Sequence, residues 1–176
     1  MKRVVISGLI CMAILLELLT FACCGVKNAR LQVALTDYAA VLESNGLDGL
    51  RLSVYYIDPS ILTRFPLTEE RLLSFESVQR FEVDNAQLLQ NIELLKTINA
   101  EEMTPVSNAS VLDARLCCIF ESDRAGQVLH LTLGGKDNSI FVNGVEVENF
   151  ELLRDLLVAF VSEETMRVLV RYFDKE

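Results

Sequence analysis

The chain contains a single histidine, His130, and it is the first candidate for catalysis because imidazole titrates nearest to neutral pH. A nucleophilic site of the serine–histidine or cysteine–histidine type needs such a base. Cys117 is a candidate nucleophile, since both side chains point away from the apolar face of their predicted strands. The spacing identifies no third, orienting group. We therefore expect a surface or sheet-packing histidine and assign no catalytic residue.

Acidic residues are numerous, but their positions indicate structural roles. The pairs Glu69-Glu70 and Glu163-Glu164 follow predicted capping residues, where negative charge is favourable at the start of a helix. No two carboxylates have the placement expected of a glycosidase-type site. Asp137-Asn138-Ser139 offers oxygen ligands without the spacing of a calcium loop, and the paired CxxC motifs of zinc sites are absent. We predict no metal and no cofactor.

The apolar periodicity predicts a single α+β domain over residues 26–176, with a mainly antiparallel sheet and helices packed on one face. The predicted helices cover residues 28–43, 68–74, 84–95 and 149–161, and the predicted strands cover residues 50–56, 78–83, 112–120, 129–133, 140–142 and 145–147. Asn143-Gly144 predicts a tight turn between the last two strands.

The C-terminal tail allows two interpretations. Ser162 with the two glutamates after it is a possible helix start. Apolar residues alternate with arginine and leucine over residues 165–173, which is strand periodicity. We favour the strand.

The two halves of the domain resemble each other. A shift of 64 residues without gaps aligns Phe81–Asn91 with Val145–Asp155, and five of these eleven positions are identical. We interpret this as an internal duplication of about residues 50–98 and 114–162. It predicts two pseudo-symmetric strand–strand–helix units.

Cys117 and Cys118 are the cysteines of the predicted domain body. Because neighbouring residues on a strand point to opposite faces, these two thiols are poorly placed to bond to each other. We expect Cys118 to be a core residue and Cys117 to face a covered side of the sheet. The chain is therefore not a disulfide scaffold.

The first 25 residues have the composition of an export signal: two basic residues precede an apolar stretch whose only charged residue is Glu17. Leu19-Thr20-Phe21-Ala22-Cys23 resembles a bacterial lipobox, in which a small residue precedes a cysteine that becomes lipidated. The resemblance implies that residues 1–22 are removed and that Cys23, or alternatively Cys24, carries the lipid. Two acyl chains would then anchor the protein stably to a membrane.

Two other interpretations of the leader stay open. Cleavage after Ala22 by an ordinary signal peptidase would release a free secreted domain. Retention of residues 4–22 would leave a single-pass anchor, since 19 residues barely span a bilayer. All three interpretations export the domain. The lipoprotein and the anchor hold it at the outer face of the bacterial cytoplasmic membrane or at the cell surface.

The charge of the chain limits its partners. The formal net charge is −9 at pH 7, and it becomes −10 without Lys2, Arg3 and Glu17. An acidic domain disfavours nucleic acid as a partner, because recognition of phosphates requires a basic patch. It also disfavours docking on anionic lipid by charge alone.

Three classes of function are consistent with these patterns, and no biochemical activity is identified. The favoured one is a small, membrane-tethered binding or accessory domain that contacts an unknown protein or peptide partner through a sheet edge or face. The second is an inhibitor or immunity-type protein that blocks an exported enzyme through an acidic loop at 134–138 or 123–126. The third is a hydrolase with an unrecognised site, in which His130 and a carboxylate converge in a cleft.

Overall fold

The structure is a computed structural model that describes residues 29–43, 49–58, 60–107, 109–134, 139–148 and 150–172. The strands are β1 (Leu50–Tyr56), β2 (Gln79–Val83), β3 (Ala114–Ser122), β4 (Gly126–Gly134), β5 (Ile140–Val142) and β6 (Val145–Val147). They form one antiparallel sheet in the order β2-β1-β3-β4-β5-β6. The predicted α+β class with a mainly antiparallel sheet is confirmed.

The helices are α1 (residues 29–43), α2 (Glu69–Leu73), α3 (Asn85–Gln90), α4 (Ile92–Lys96), α5 (Phe150–Phe160) and α6 (Glu163–Leu169), and a 3-10 turn covers Val170–Tyr172. Thr68 caps α2, as predicted, because its side chain accepts a hydrogen bond from the amide of Arg71. The helix predicted over residues 84–95 is divided into α3 and α4 at Asn91, whose φ of −112° and ψ of 25° are not helical.

The turn between β5 and β6 has the predicted geometry. Asn143 has a φ of 47° and Gly144 a φ of 78°. Two successive positive φ values characterise the type I′ turn, whose twist matches that of an antiparallel hairpin. The Asn-Gly pair therefore determines where β5 ends and in which direction the Asn143 side chain leaves the sheet.

One face of the sheet carries the main hydrophobic core. Alternate side chains of β1, β3 and β4 point to this face and pack against α1, α3, α4, α5 and α6. Near its centre the rings of Tyr38 and Phe120 meet edge to face, with centroids 5.3 Å apart. The Tyr38 hydroxyl donates to the carbonyl of Leu95 at 3.3 Å, so a buried hydrogen bond joins α1 to α4.

The opposite face carries a second, smaller core, so the helices are not confined to one face. Cys117 and Ile119 of β3 are buried there with Leu72 of α2. Residues 116–120 of β3 are all buried, and they are apolar on both faces. A strand of this kind needs a cover on each side, and α2 with its flanking segments supplies the second cover.

The two free cysteines lie as the sequence predicted. Cys118 belongs to the main core and Cys117 to the second core, on opposite sides of the same strand. Burial raises the pKa of the Cys118 thiol well above its ordinary value. The side chain therefore behaves as a small apolar core residue.

The segment before α2 is fastened to the start of β3. Arg115 donates to the carbonyl of Ile61 at 3.2 Å and to the hydroxyl of Thr63 at 2.9 Å. It also forms a half-buried ion pair with Asp113 at 2.6 Å, and Asp113 accepts a hydrogen bond from the amide of Leu67. These contacts fix the point at which α2 begins above the sheet.

The strand favoured for residues 165–173 is wrong, because α6 and the 3-10 turn occupy this region. The Ser162 hydroxyl accepts a hydrogen bond from the amide of Thr165 and caps α6. Leu169 is fully buried, and Met166 packs on the same core three residues earlier. The helix cap and this spacing of three outweigh the alternation of apolar residues.

The structure does not confirm two pseudo-symmetric units. The strands that the 64-residue shift relates, β2 and β6, both lie at edges of the sheet. However, β2 pairs directly with β1, whereas β4 and β5 separate β6 from β3. The duplication stays a prediction from the sequence.

Two phenylalanines provide a test of where the core lies. Phe120 is fully buried in the main core, whereas Phe65 is 62% exposed on the segment before α2. We expect Phe120→Ala to lower the free energy of unfolding by about 3–5 kcal/mol, since it leaves a cavity. Phe65→Ala should lower it by less than about 1 kcal/mol. Chemical denaturation followed by circular dichroism measures both, and equal effects would contradict this placement of the core.

Candidate functional site

A carboxylate at the start of α2 reaches across the second face of the sheet to β4. One oxygen of Glu69 accepts a hydrogen bond from the Thr132 hydroxyl at 2.6 Å, and the other lies 3.3 Å from Nδ1 of His130. The side chains of Glu69 and His130 are only 20% and 22% exposed. Because α2 is anchored to β3 through Leu72, its first turn falls above His130 and Thr132 of the neighbouring strand.

The electrostatics of this pair favour an ionised carboxylate. The hydrogen bond with His130 lowers the pKa of Glu69, the hydrogen bond from Thr132 adds to this effect, and partial burial opposes it. The carboxylate therefore accepts a hydrogen bond from the Nδ1–H group and orients the imidazole ring. Nε2 of His130 has no hydrogen-bond partner among the described residues, so it is the ring nitrogen that a ligand can reach.

Cys117 lies at the buried end of this chain of polar groups. It is paired with Thr132 across β3 and β4, and its Sγ lies 3.3 Å from Thr132 Oγ1. The single hydroxyl proton of Thr132 belongs to the shorter, charged contact with Glu69, so the thiol must supply the proton between Thr132 and Cys117. Burial raises the pKa of Cys117 to about 12. The thiol is therefore not an activated nucleophile at neutral pH.

The structure brings His130 and Cys117 close, but not into the contact that a catalytic pair requires. Their connection runs through Thr132 and Glu69, and no direct hydrogen bond joins the ring to the thiol. The orienting group that the spacing did not identify is Glu69. The sequence pattern assigned Glu69 to the helix dipole, and His130 lies 61 residues away from it.

A depression of about 370 Å³ lies beside this pair. Its lining comprises Glu69, Gln127, Val128, His130, Asn143 and Gly144. A second depression of about 500 Å³, beside α1, shares Gln127, Val128 and Asn143 with it. The two adjoin at the start of β4, at Gln127 and Val128, and lead from α1 on one face of the sheet to Glu69 on the other. We call them together the end groove.

Asn143 links the tight turn to the candidate site. Its side-chain oxygen accepts a hydrogen bond from the amide of His130 at 2.7 Å, and its own amide donates to the carbonyl of His130 at 3.0 Å. The side-chain NH2 group of Asn143 has no partner among the described residues. The end groove therefore presents two oriented polar groups, Nε2 of His130 and the side-chain NH2 group of Asn143, beside the apolar Val128.

Several residues singled out from the sequence lie elsewhere. Cys23 and Cys24, and the lipobox around them, fall outside the described residues. So does most of the acidic loop at 134–138. In the other loop, Asp123 forms an exposed ion pair with Arg51 at 3.2 Å. That contact offsets the negative charge which an inhibitory loop would present.

Two findings on the described residues concern metal binding and membrane spanning. Across the described ranges, no three His, Cys, Asp or Glu side chains are grouped so that they could hold a metal ion. Among the helices that the structure describes, none has the length and apolar character needed to cross a bilayer.

Comparisons of the chain with protein-family models, with curated proteins and with solved structures found no match. Fold similarity therefore contributes nothing to the assignment. Function has to be inferred from the end groove and from the physical properties of its residues.

The contacts of Glu69 predict a pH-dependent contribution to stability. The folded pKa of Glu69 lies below its ordinary value of 4.5, so the stabilisation is fully present above pH 4.5 and disappears as the pH falls through the lowered value. We expect Glu69→Gln to lower the free energy of unfolding by about 1–3 kcal/mol at pH 7. The difference should become progressively smaller as the pH falls below 4.5. Denaturation at a series of pH values measures the difference.

The control is Glu70→Gln, which changes the neighbouring, exposed carboxylate of the same helix turn. It should leave the pH dependence of unfolding close to that of the unmodified chain. Identical profiles for the two variants would show that the Glu69 contacts make no net contribution.

Proposed function

We propose that this protein is an exported binding domain, tethered to a bacterial membrane, that contacts a protein or peptide partner through the end groove. The observation that supports this proposal is the pair of unpartnered polar groups, Nε2 of His130 and the side-chain amide of Asn143, held beside Val128. A concave site that combines an apolar floor with a few oriented polar groups is typical of ligand recognition.

The polar groups define what the partner must offer. When Nδ1–H donates to the Glu69 carboxylate, Nε2 is the acceptor nitrogen of the imidazole form of the ring. The Asn143 amide presents a donor. A peptide group has one donor and one acceptor, so a backbone segment of a partner can satisfy both. An apolar partner side chain would contact Val128 and, in the depression beside α1, the exposed Val33.

The tether brings this site close to the membrane surface. Ala29 of α1 lines the end groove and follows Cys23 by six residues. Six extended residues span at most about 20 Å. A lipid on Cys23 would therefore hold the end groove where partners at the same membrane are concentrated.

A hydrolase is the second candidate, because one specific observation favours it. His130 and the carboxylate of Glu69 converge beside a depression, as this hypothesis requires. The ring could act as a general base on a water molecule, since Cys117 is too buried and too weakly acidic to attack a substrate. Turnover that His130→Gln abolishes and Cys117→Ser leaves unchanged would favour hydrolysis over binding. The inhibitor or immunity-type alternative differs in its partner, an exported enzyme.

Site-specific photo-crosslinking in living cells tests the binding proposal. A photoreactive residue at Gln127, where the two depressions meet, should form a discrete adduct with a partner. The same residue at Leu89, which is 53% exposed on α3 and lies outside the groove, is the matched control position and should form no such adduct.

Two substitutions make the result specific to the polar groups. His130→Gln removes the oriented ring, and Asn143→Gly removes the amide while glycine tolerates the positive φ of the turn. Each should reduce the adduct at Gln127 by roughly tenfold, the loss expected for a hydrogen bond of about 1.4 kcal/mol. An adduct unaffected by both would contradict binding through the end groove.

The location is tested by the intact mass of the protein extracted from membranes. We expect the mass of a chain that begins at diacylglyceryl-Cys23, because two acyl chains anchor stably where one does not. An unprocessed chain in the membrane would indicate the single-pass anchor, and a chain cut after Ala22 in the medium would indicate free secretion. Full-length protein dissolved in the cytosol would contradict export.

A further inference from the structure

The two edges of the sheet differ in how they are covered. At β6, the amide of Val106 donates to the carbonyl of Glu146 and the amide of Glu148 to the carbonyl of Thr104, both at 2.9 Å. Pro105 forms a bridge with Val147 between them. At the other edge, no described segment pairs with the outer side of β2. An open edge presents unpaired amides and carbonyls to a further strand.

The register of the sheet shows which backbone groups face outward at β2. The amide of Ile57 donates to the carbonyl of Arg115, and the amide of Asp123 to that of Gly49. Hydrogen bonding alternates along an antiparallel strand. The backbone N–H and C=O groups of the odd-numbered residues of β1 therefore point toward β3, and those of the even-numbered residues point toward β2.

The even-numbered residues of β1 pair with the odd-numbered residues of β2, Gln79, Phe81 and Val83. The backbone groups of Arg80 and Glu82 therefore point away from the sheet, toward the open edge. The amide of Val78, which would be next in line, already donates to the carbonyl of Phe75. An incoming strand can thus hydrogen-bond only to the short stretch around Phe81.

We propose that the open edge of β2 binds a second copy of this chain, so that two β2 strands pair antiparallel about Phe81. In this register Arg80 lies opposite the partner's Glu82, and Glu82 lies opposite the partner's Arg80. The backbone amides and carbonyls of Arg80 and Glu82 face outward in both copies. Each Arg80–Glu82 pair across the interface can therefore form two backbone hydrogen bonds. The edge is complementary to itself in charge as well as in hydrogen bonding.

The neighbouring registers are less favourable. Because pairs that lie opposite must point to the same face of a sheet, only shifts of two residues are allowed. A shift in one direction places Arg80 opposite the partner's Arg80, and a shift in the other places Glu82 opposite the partner's Glu82. Like charges directly opposite each other are destabilising, and both shifts shorten the overlap.

The Arg80 side chain is already ordered for such pairing. Its guanidinium carbon lies 5.2 Å from the centroid of the Tyr55 ring, and Nη2 lies 3.4 Å from the Ser53 hydroxyl. It also contacts the Glu82 carboxylate of its own chain. The two side chains remain 49% and 61% exposed. A pre-ordered side chain loses little conformational freedom on association, which favours binding by a short strand.

A mixing experiment on the full chain in a mild detergent tests this proposal. Arg80→Glu leaves only carboxylates at the two paired positions, and Glu82→Arg leaves only guanidinium groups. Size-exclusion chromatography with light scattering should show a dimer for the unmodified chain. The association of each variant alone should be weaker by at least about tenfold, since both pairs become repulsive. The two variants mixed should recover the dimer.

The control pair is Arg154→Glu and Glu151→Arg, which alters a similarly exposed ion pair on α5. These variants should dimerise like the unmodified chain. A monomeric unmodified chain would overturn the proposal, and so would a dimer that neither β2 variant weakens. Failure of the mixture to recover the dimer would also overturn it, provided that circular dichroism shows both variants folded.

A second measurement does not depend on charge reversal. The two copies of Phe81 form a pair without backbone hydrogen bonds in this register, with Cα atoms about 4.5 Å apart. That separation is compatible with a disulfide, so Phe81→Cys should give an oxidised dimer on a non-reducing gel. The unmodified chain and Leu89→Cys control for the native cysteines and for an exposed thiol elsewhere. A yield no greater than theirs would overturn the proposal.

Discussion

The structure depends on one constraint: β3 is apolar on both faces and lies between β1 and β4 in the sheet. Cys118 and Phe120 on one face require the main core, and Cys117 and Ile119 on the other require a second cover. The amphipathic helices of the chain satisfy the first requirement. The short helix α2 satisfies the second, since Leu72 fills the space above Cys117 and Ile119.

The candidate site is a consequence of that second cover. Thr68 and Leu72 fix the start and the buried side of α2, and Glu69 then projects toward His130 and Thr132 of β4. The same carboxylate lies in the first turn of a helix and accepts hydrogen bonds from two side chains. Both effects favour its ionised form, and the second one orients the only imidazole of the chain.

Local signals predicted much of the fold, because they act over a few residues. Asn143-Gly144 specified a turn through its tolerance of positive φ, and Thr68 specified a helix start through its hydroxyl. The tail around Leu169 was assigned wrongly, because alternation and helical spacing coincide in a short apolar segment and only packing decides between them.

The candidate site was predicted less well, for a different physical reason. The residue type of His130 indicated a candidate base, and the pattern of β3 predicted that Cys117 faces a covered side of the sheet. The contact between Glu69 and His130 depends on the placement of α2 over a distant strand, which no local periodicity encodes. The polar side chains of His130 and Thr132, on a face that is apolar in β3, were the one available sign that a polar group would cover them.

The two proposed surfaces are compatible because the sheet separates them. Two strands, β1 and β3, lie between the open edge of β2 and the end groove at β4. Three strand spacings amount to about 14 Å, so a second copy paired at β2 need not block the groove. Two-fold symmetry would then present two end grooves from one assembly. For a partner that itself occurs in several copies at a membrane, two linked weak contacts bind far more tightly than either does alone. A short edge and a shallow groove can therefore be sufficient together, although each is modest in itself.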